Sequence, residues 1–167
     1  MTGLYGALQQ SLPQYDVMPL TEDNYADVCE IFDTNHGFLK EGYGDLIDKN
    51  GVLAAMLQLP KGFDIANKYL AVLCENGKPI AAVDLLANSP KKGELWLSFL
   101  VVHGDMHGRG IGTNITKGII AAVKLAGFKK IHLGSFDETV DFWRKQGFIC
   151  YCAEENLFGY CTGVENA

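Results

Sequence analysis

Residues 95–127, LWLSFLVVHGDMHGRGIGTNITKGIIAAVKLAG, read as a strand, a glycine-rich loop and a helix. Positions 95–102 are apolar except for Ser98, the pattern of a strand buried on both faces. Gly108, Gly110 and Gly112 alternate with Arg109 and Ile111. Ile111, Ile115, Ile119, Val123 and Ala126 then recur at the spacing of one helix face. The first N–H groups of a helix lack internal partners, and its dipole is positive at that end. Glycines that admit a close approach, beside the permanent charge of Arg109, suit such an end to an anion. The plain alternative is a tight turn that needs glycine for geometry alone.

Two phosphate loops fail the spacing. A dinucleotide fingerprint starting at Gly108 or Gly110 needs a last glycine at 113 or 115, where Thr113 and Ile115 stand. A nucleoside-triphosphate loop needs Gly-Lys-Ser/Thr, and the stretch has none. Instead Val102-His103-Gly104-Asp105-Met106-His107-Gly108-Arg109-Gly110-Ile111-Gly112 resembles the acetyl-CoA motif of the GNAT superfamily of N-acetyltransferases, Arg/Gln-x-x-Gly-x-Gly/Ala. Gly110 and Gly112 match its glycines, and His107 replaces the usual Arg or Gln. Phe142-Trp143-Arg144-Lys145-Gln146-Gly147-Phe148 resembles that family's later Phe-Tyr-x-x-x-Gly-Phe, with Trp143 at the tyrosine.

Length and composition set the frame. The chain of 167 residues suits one domain over 1–167, with residues 1–15 as an N-terminal arm, loose or packed on a partner. A hydrophobic content of 48% excludes disorder. The net charge of −6 argues against nucleic acid as a partner and is mildly compatible with a cationic amine. Five cysteines, at 29, 74, 150, 152 and 161, match no zinc or redox spacing, so no metal is expected. They read as reduced thiols. No apolar run reaches membrane-spanning length and no signal segment opens the chain, so the expectation is a cytoplasmic protein with no membrane partner.

Along the chain, 16–20 reads as a strand. Thr21 reads as the cap of a helix carrying Tyr25, Val28, Cys29 and Phe32, which stops near 35–37. A second helix, kinked at Asn50-Gly51, fills the stretch from Gly42 to Pro60. Residues 68–75 and 79–86 form a hairpin around Asn76-Gly77, and 94–102 is the next strand. After the loop and helix come a strand at 130–135, a short helix at 137–146 and strands at 147–152 and 157–161. Separate strand and helix runs indicate an α+β fold. The resemblance implies the acyl-CoA N-acyltransferase version, a mixed, mostly antiparallel sheet of six to seven strands flanked by about four helices.

The resemblance also implies the chemistry: transfer of an acetyl group from acetyl-CoA to an amine of a small molecule or protein, by a monomer or a homodimer. Leu100, Val101 and Val102 would meet the pantetheine arm through the backbone. His107, Gly108, Arg109, Gly110, Ile111, Gly112 and Thr113 would hold the pyrophosphate. Trp143 would pack along the arm, or simply serve as a core aromatic; its indole cannot act as the tyrosine acid. The two first helices, with Phe38, Tyr43 and Phe63, would shape the acceptor site. For the base, Asp84 is a carboxylate inside an apolar strand, and Glu94 opens the central strand on the face of Ser98. A satisfied strand Asp and a solvated strand-end Glu are the plain alternatives. Non-catalytic readings are an acyl-CoA-binding or regulatory module of the same fold, or a structural domain whose glycine turn binds nothing.

Overall fold

The computed structural model describes residues 3–35, 37 and 58–163. The second helix expected before Pro60, with Phe38 and Tyr43, lies outside the described residues. Among those described, the order is α1 (Leu4–Ser11), β1 (Asp16–Pro19), α2 (Tyr25–Asp33), β2 (Lys68–Glu75), β3 (Lys78–Ala87), β4 (Glu94–Val102), α3 (Ile111–Leu125), β5 (Lys130–Gly134), α4 (Val140–Lys145), β6 (Ile149–Cys152) and β7 (Leu157–Cys161). The seven strands make one sheet in the order β1-β2-β3-β4-β5-β7-β6. Only β4 and β5 are parallel, because α3 carries the chain back between them; every other pair is antiparallel. The β2–β3 hairpin turns on Asn76 and Gly77, both at positive φ, as a primed two-residue turn requires.

Each face of the sheet has its own core. α1 and α3 cover one face, where Leu8, Leu12, Ile115 and Ile119 pack on Val83, Leu85, Leu95 and Leu97. α2 covers part of the other, where Val28, Ile31 and Phe32 meet Val72, Ala82, Phe99 and Val101. The first stretch is therefore not a loose arm. Residues 4–11 are helical, with Leu4, Ala7 and Leu8 buried, and the Tyr5 hydroxyl donates to Leu70 O at 2.9 Å. Its apolar positions at i, i+3 and i+4 make one helical stripe, which needs a partner, and α3 supplies it. At the second helix, Asn24 rather than Thr21 precedes the first helical residue. The Thr21 N–H instead donates to Asn24 Oδ1 at 2.7 Å, closing a turn ahead of the helix.

One irregularity positions everything downstream. Against β3, Leu97 faces Leu85 and Phe99 faces Asp84, so Ser98 is an extra residue: a β-bulge. Across it the side chains change face. Leu95 and Leu97 lie in the α1/α3 core, whereas Phe99 and Val101 lie in the α2 core. Pairing of β4 with β5 stops at the same place, covering only Glu94–Leu97 against Lys130–Leu133. Beyond it the two strands diverge.

Candidate active site

The divergence opens a cleft of ≈ 550 Å³. One wall is β4 from Leu97 to Val102; the other is the end of β5 with Phe136, Glu138 and Thr139. The floor and far end are the loop and the start of α3, closed by Phe142 and Trp143 from α4. Of the residues expected to hold the acyl donor, Leu100, Val101, Val102, His107, Gly108, Gly110, Ile111, Gly112, Thr113 and Trp143 line this one cleft. Arg109 does not line it; the residue is exposed beside it.

Backbone direction follows from pairing. His103 N–H donates across to Ile80 O at 2.8 Å, so alternation turns the polar groups of Val102 and Leu100 away from β3, toward the side β5 has left. Val102 O is already engaged there, accepting from Asn35 Nδ2 and from His107 Nε2, each at 2.9 Å. A carbonyl only accepts, so His107 carries its proton on Nε2. Its ring is thereby tied to the strand instead of extending over the loop.

The α3 start is built for an open N-terminus. Gly110 caps it in the left-handed conformation, φ 76°, with no side chain closing on the first N–H groups. Gly108 also has positive φ, at 75°. Gly112 is different. Its φ is ordinary, and a Cβ there would sit 3.5 Å from the Phe142 ring and 3.7 Å from Val102 Cγ2, at the cleft wall. Thr113 Oγ1 accepts from Gln146 Nε2 at 3.3 Å, tying α3 to the end of α4.

The loop hangs from the end of α2. Gly104 N–H donates to Thr34 Oγ1 at 2.8 Å, and any Cβ at Gly104 would run into the Thr34 backbone. His103 Nε2 meets Glu30 Oε1 at 3.3 Å. Asn35, which lines the cleft, has no signal in the sequence beyond a helix stop. Its partner lies 67 positions away, a distance that local patterns do not span. Phe136, Glu138 and Phe142 also line the cleft; Phe142 opens the second motif, and Phe136 and Glu138 lie shortly before it with no local signal of a role.

Trp143 is a core aromatic that also borders the cleft. It is buried in an aromatic stack, edge-on to Phe142 at 4.9 Å and to Phe148 at 5.4 Å, and one side lines the cleft. The candidate bases do not line the cleft. Asp84, 2% exposed, pairs through Oδ2 with Lys68 Nζ at 2.7 Å, and its Oδ1 has no hydrogen-bond partner among the described residues. Burial pushes its carboxyl above the usual range, with Lys68 opposing. It faces Phe99, next to the bulged Ser98, which does line the cleft. Glu94 is held by His132, whose Nε2 lies 2.8 Å from Glu94 Oε2. Among the described residues no group of three His, Cys, Asp or Glu could hold a metal ion, and no helix is long and apolar enough to cross a membrane.

Comparisons with known proteins bear on the family and the fold. The family model described as Acetyltransferase (GNAT) family matches residues 39–148. An acetyltransferase from Thermus thermophilus superposes with a TM-score of 0.71 at 19% identity, over 88% of this chain and 95% of that one. A GNAT family acetyltransferase from Brucella melitensis, in complex with acetyl-CoA, gives 0.56 at 16% identity, over 92% and 91%. PaiA N-acetyltransferase from Thermoplasma acidophilum, in complex with coenzyme A, gives 0.62 at 13% identity, over 88% and 98%. Identities this low show a shared fold.

Proposed function

The chain belongs to the GNAT acetyltransferase family, and from that premise we propose that it transfers the acetyl group of acetyl-CoA to an amine of a small molecule or protein, as a single domain over 1–167. The observation that carries this reading is the cleft itself. It is a strand edge left open by a bulge, and it runs into a helix start that no side chain caps, flanked by Arg109. A pantetheine arm carries amides, and an open strand edge recognises amides as it would another strand. Leu100 and the Val102 N–H are the groups turned to that edge, with Val101 between them.

The pyrophosphate fits the loop for a physical reason. The N–H groups of Ile111, Gly112 and Thr113 lie in the first turn of α3, behind Gly108 and Gly110, where the helix dipole favours negative charge. Arg109 adds a charge outside the cleft wall, a position suited to a phosphate reaching into solvent. His107 acts here through the strand, fixing Val102 O. Trp143 lays an apolar face along the arm. Acetyl-CoA supplies the activated acetyl group as a thioester. The enzyme holds its carbonyl where β4 and β5 part, and the acceptor amine must arrive there without its proton.

Calorimetric titration with acetyl-CoA and with free CoA tests the reading. Micromolar binding to the wild type, lost in a Gly110→Asp, Gly112→Asp variant that still unfolds cooperatively, supports it. Absence of heat and of any thermal shift with either ligand overturns it.

A further inference from the structure

A second group of side chains crosses the sheet beside the cleft, unused by the reading above. Glu94 on β4, His132 on β5 and Tyr151 on β6 are joined by hydrogen bonds. His132 Nε2 lies 2.8 Å from Glu94 Oε2, and His132 Nδ1 lies 3.2 Å from Tyr151 Oη. Tyr151 reaches β5 because the strand between them carries a glycine. Gly159 on β7 pairs with His132, and a Cβ at Gly159 would fall 3.5 Å from the Tyr151 ring. Trp96 stacks parallel on the imidazole, 7° from coplanar with centroids 6.1 Å apart, and fixes its plane.

For the neutral imidazole the hydrogen-bond roles follow from the partners. A carboxylate only accepts, so His132 Nε2 carries the proton donated to Glu94. Nδ1 then has a free lone pair, which accepts from the Tyr151 hydroxyl. Burial, Cys152, Glu155 and Glu94 raise the Tyr151 hydroxyl above its ordinary value, so it stays protonated as this arrangement needs. His132 itself is 5% exposed, whereas Tyr151 is 49% exposed. Solvent and ligands therefore meet the group chiefly at the phenol, with the imidazole behind it; the Glu94 side chain, at the other end, is 21% exposed. His132 and Trp96 immediately precede Leu133 and Leu97, which line the cleft where the strands part. By alternation the imidazole stands one residue before the cleft wall, on the sheet face away from the α1/α3 core, with the phenol as the more exposed end of the group.

We propose that Glu94, His132 and Tyr151 are the proton relay of the transfer, with Tyr151 Oη receiving the acceptor's proton and His132 Nδ1 storing it. This rests on the acetyltransferase reading. The amine nitrogen forms a bond to the acetyl carbonyl carbon, and the carbon–sulfur bond breaks to leave the CoA thiolate. The amine proton passes to Tyr151 Oη as the phenol's own proton passes to His132 Nδ1. The imidazolium is held by the Glu94 carboxylate, and the proton then leaves to the thiolate or to solvent. Tyr151 is the catalytic residue of the three; His132 stores the proton, and Glu94 is a positioning residue that selects the tautomer and stabilises the cation. The charged or titratable groups facing the imidazole are Glu94 from β4 and Tyr151 from β6, with Gly159 opposite on β7. Lys130 on the same strand stands 5.3 Å over the Tyr151 ring.

The test measures thiol release from acetyl-CoA across pH with 2-phenylethylamine, spermidine and a lysine-containing peptide as probe amines. Acetyl-CoA binding is followed separately by calorimetry. Tyr151→Phe and His132→Ala should bind acetyl-CoA as the wild type does and lose roughly 100-fold in kcat/KM. Free imidazole should restore part of the activity of His132→Ala. Glu94→Gln keeps an acceptor for Nε2 but removes the charge, so the rise of kcat/KM with pH should move to lower pH with a lower plateau. Variants that keep the wild-type profile and retain kcat/KM within about threefold overturn the relay and leave the transferase reading standing. A wild type that binds acetyl-CoA yet releases no thiol with any probe overturns the transferase reading and the relay with it.

Discussion

Gly110 and Gly112 stand two positions apart and are glycine for different reasons. Gly110 has a left-handed backbone, so Gly110→Ala should cost about 1 kcal/mol of stability by urea unfolding. Gly112→Ala puts a methyl at ordinary contact distance from Phe142 and Val102, so it should fold with an unchanged unfolding midpoint. That methyl narrows the cleft, and calorimetry should show acetyl-CoA affinity reduced at least tenfold. Unchanged affinity would remove Gly112 from the proposed pyrophosphate site. Both glycines were legible as a loop motif, but their division of labour was not, because φ depends on where the flanking strand and helix point. Trp143→Ala opens a hole between Phe142 and Phe148 and should cost about 3–4 kcal/mol. Acetyl-CoA affinity should fall with it in conditions where the variant remains folded. The side chain was ambiguous in the sequence between core and ligand roles, and the structure gives it both surfaces.

At the scale of elements, the bulge at Ser98 and the helix ends around it decide the cleft. The sequence marks Ser98 only as a polar residue in an apolar strand. The extra residue emerges from the register with β3, which is a property of two strands. Asn35 is similar: its amide joins the end of α2 to Val102 O. Asn35→Ala should loosen the end of β4 and weaken acetyl-CoA binding about tenfold, read by calorimetry, with a smaller effect on the unfolding midpoint. α1 makes the complementary case. It buries Leu4, Ala7 and Leu8, and Leu12 just after it, against α3, where Gly118 leaves the space that Leu12 occupies. Deleting residues 1–12 should therefore cost on the order of 5 kcal/mol and lower the melting temperature by about 10 °C or more, checked by calorimetric scans. An eight-residue amphipathic stretch is marginal as a helix in isolation, which is why reading it without α3 suggests an arm.

Across the whole molecule, two cores share one sheet, and the buried Lys68–Asp84 pair sits on the α2 side of it. Removing one partner leaves the other charge buried, so Asp84→Ala should cost about 3–5 kcal/mol, whereas replacing both with Leu and Met should cost far less. The pH dependence has a definite sign. Burial raises the Asp84 carboxyl, so the folded protein holds that proton more tightly than the unfolded chain. Its stabilising contribution is present at low pH and declines as pH rises through the ordinary carboxylate value of about 4 toward the raised folded value. The margin of the wild type over Asp84→Asn should narrow over that range, measured as urea unfolding free energies.

The sequence by itself determined what depends on neighbours within a few residues. The apolar strand of β4, the glycine loop, the helical stripe of α3, the Asn76-Gly77 hairpin and the second motif at 142–148 all carry their reasons locally, in backbone freedom and side-chain periodicity. Those elements were enough to reach the fold and the family. Only the tertiary structure decided the splay at Ser98, the burial of α1, the engagement of Val102 O by Asn35 and His107, and the line from Glu94 through His132 to Tyr151. Each joins residues from separate elements, and its energy exists only once the chain has brought them together. Glu94 shows the difference: a strand-end carboxylate in the sequence becomes, 2.8 Å from a histidine 38 positions away, one end of a hydrogen-bonded chain.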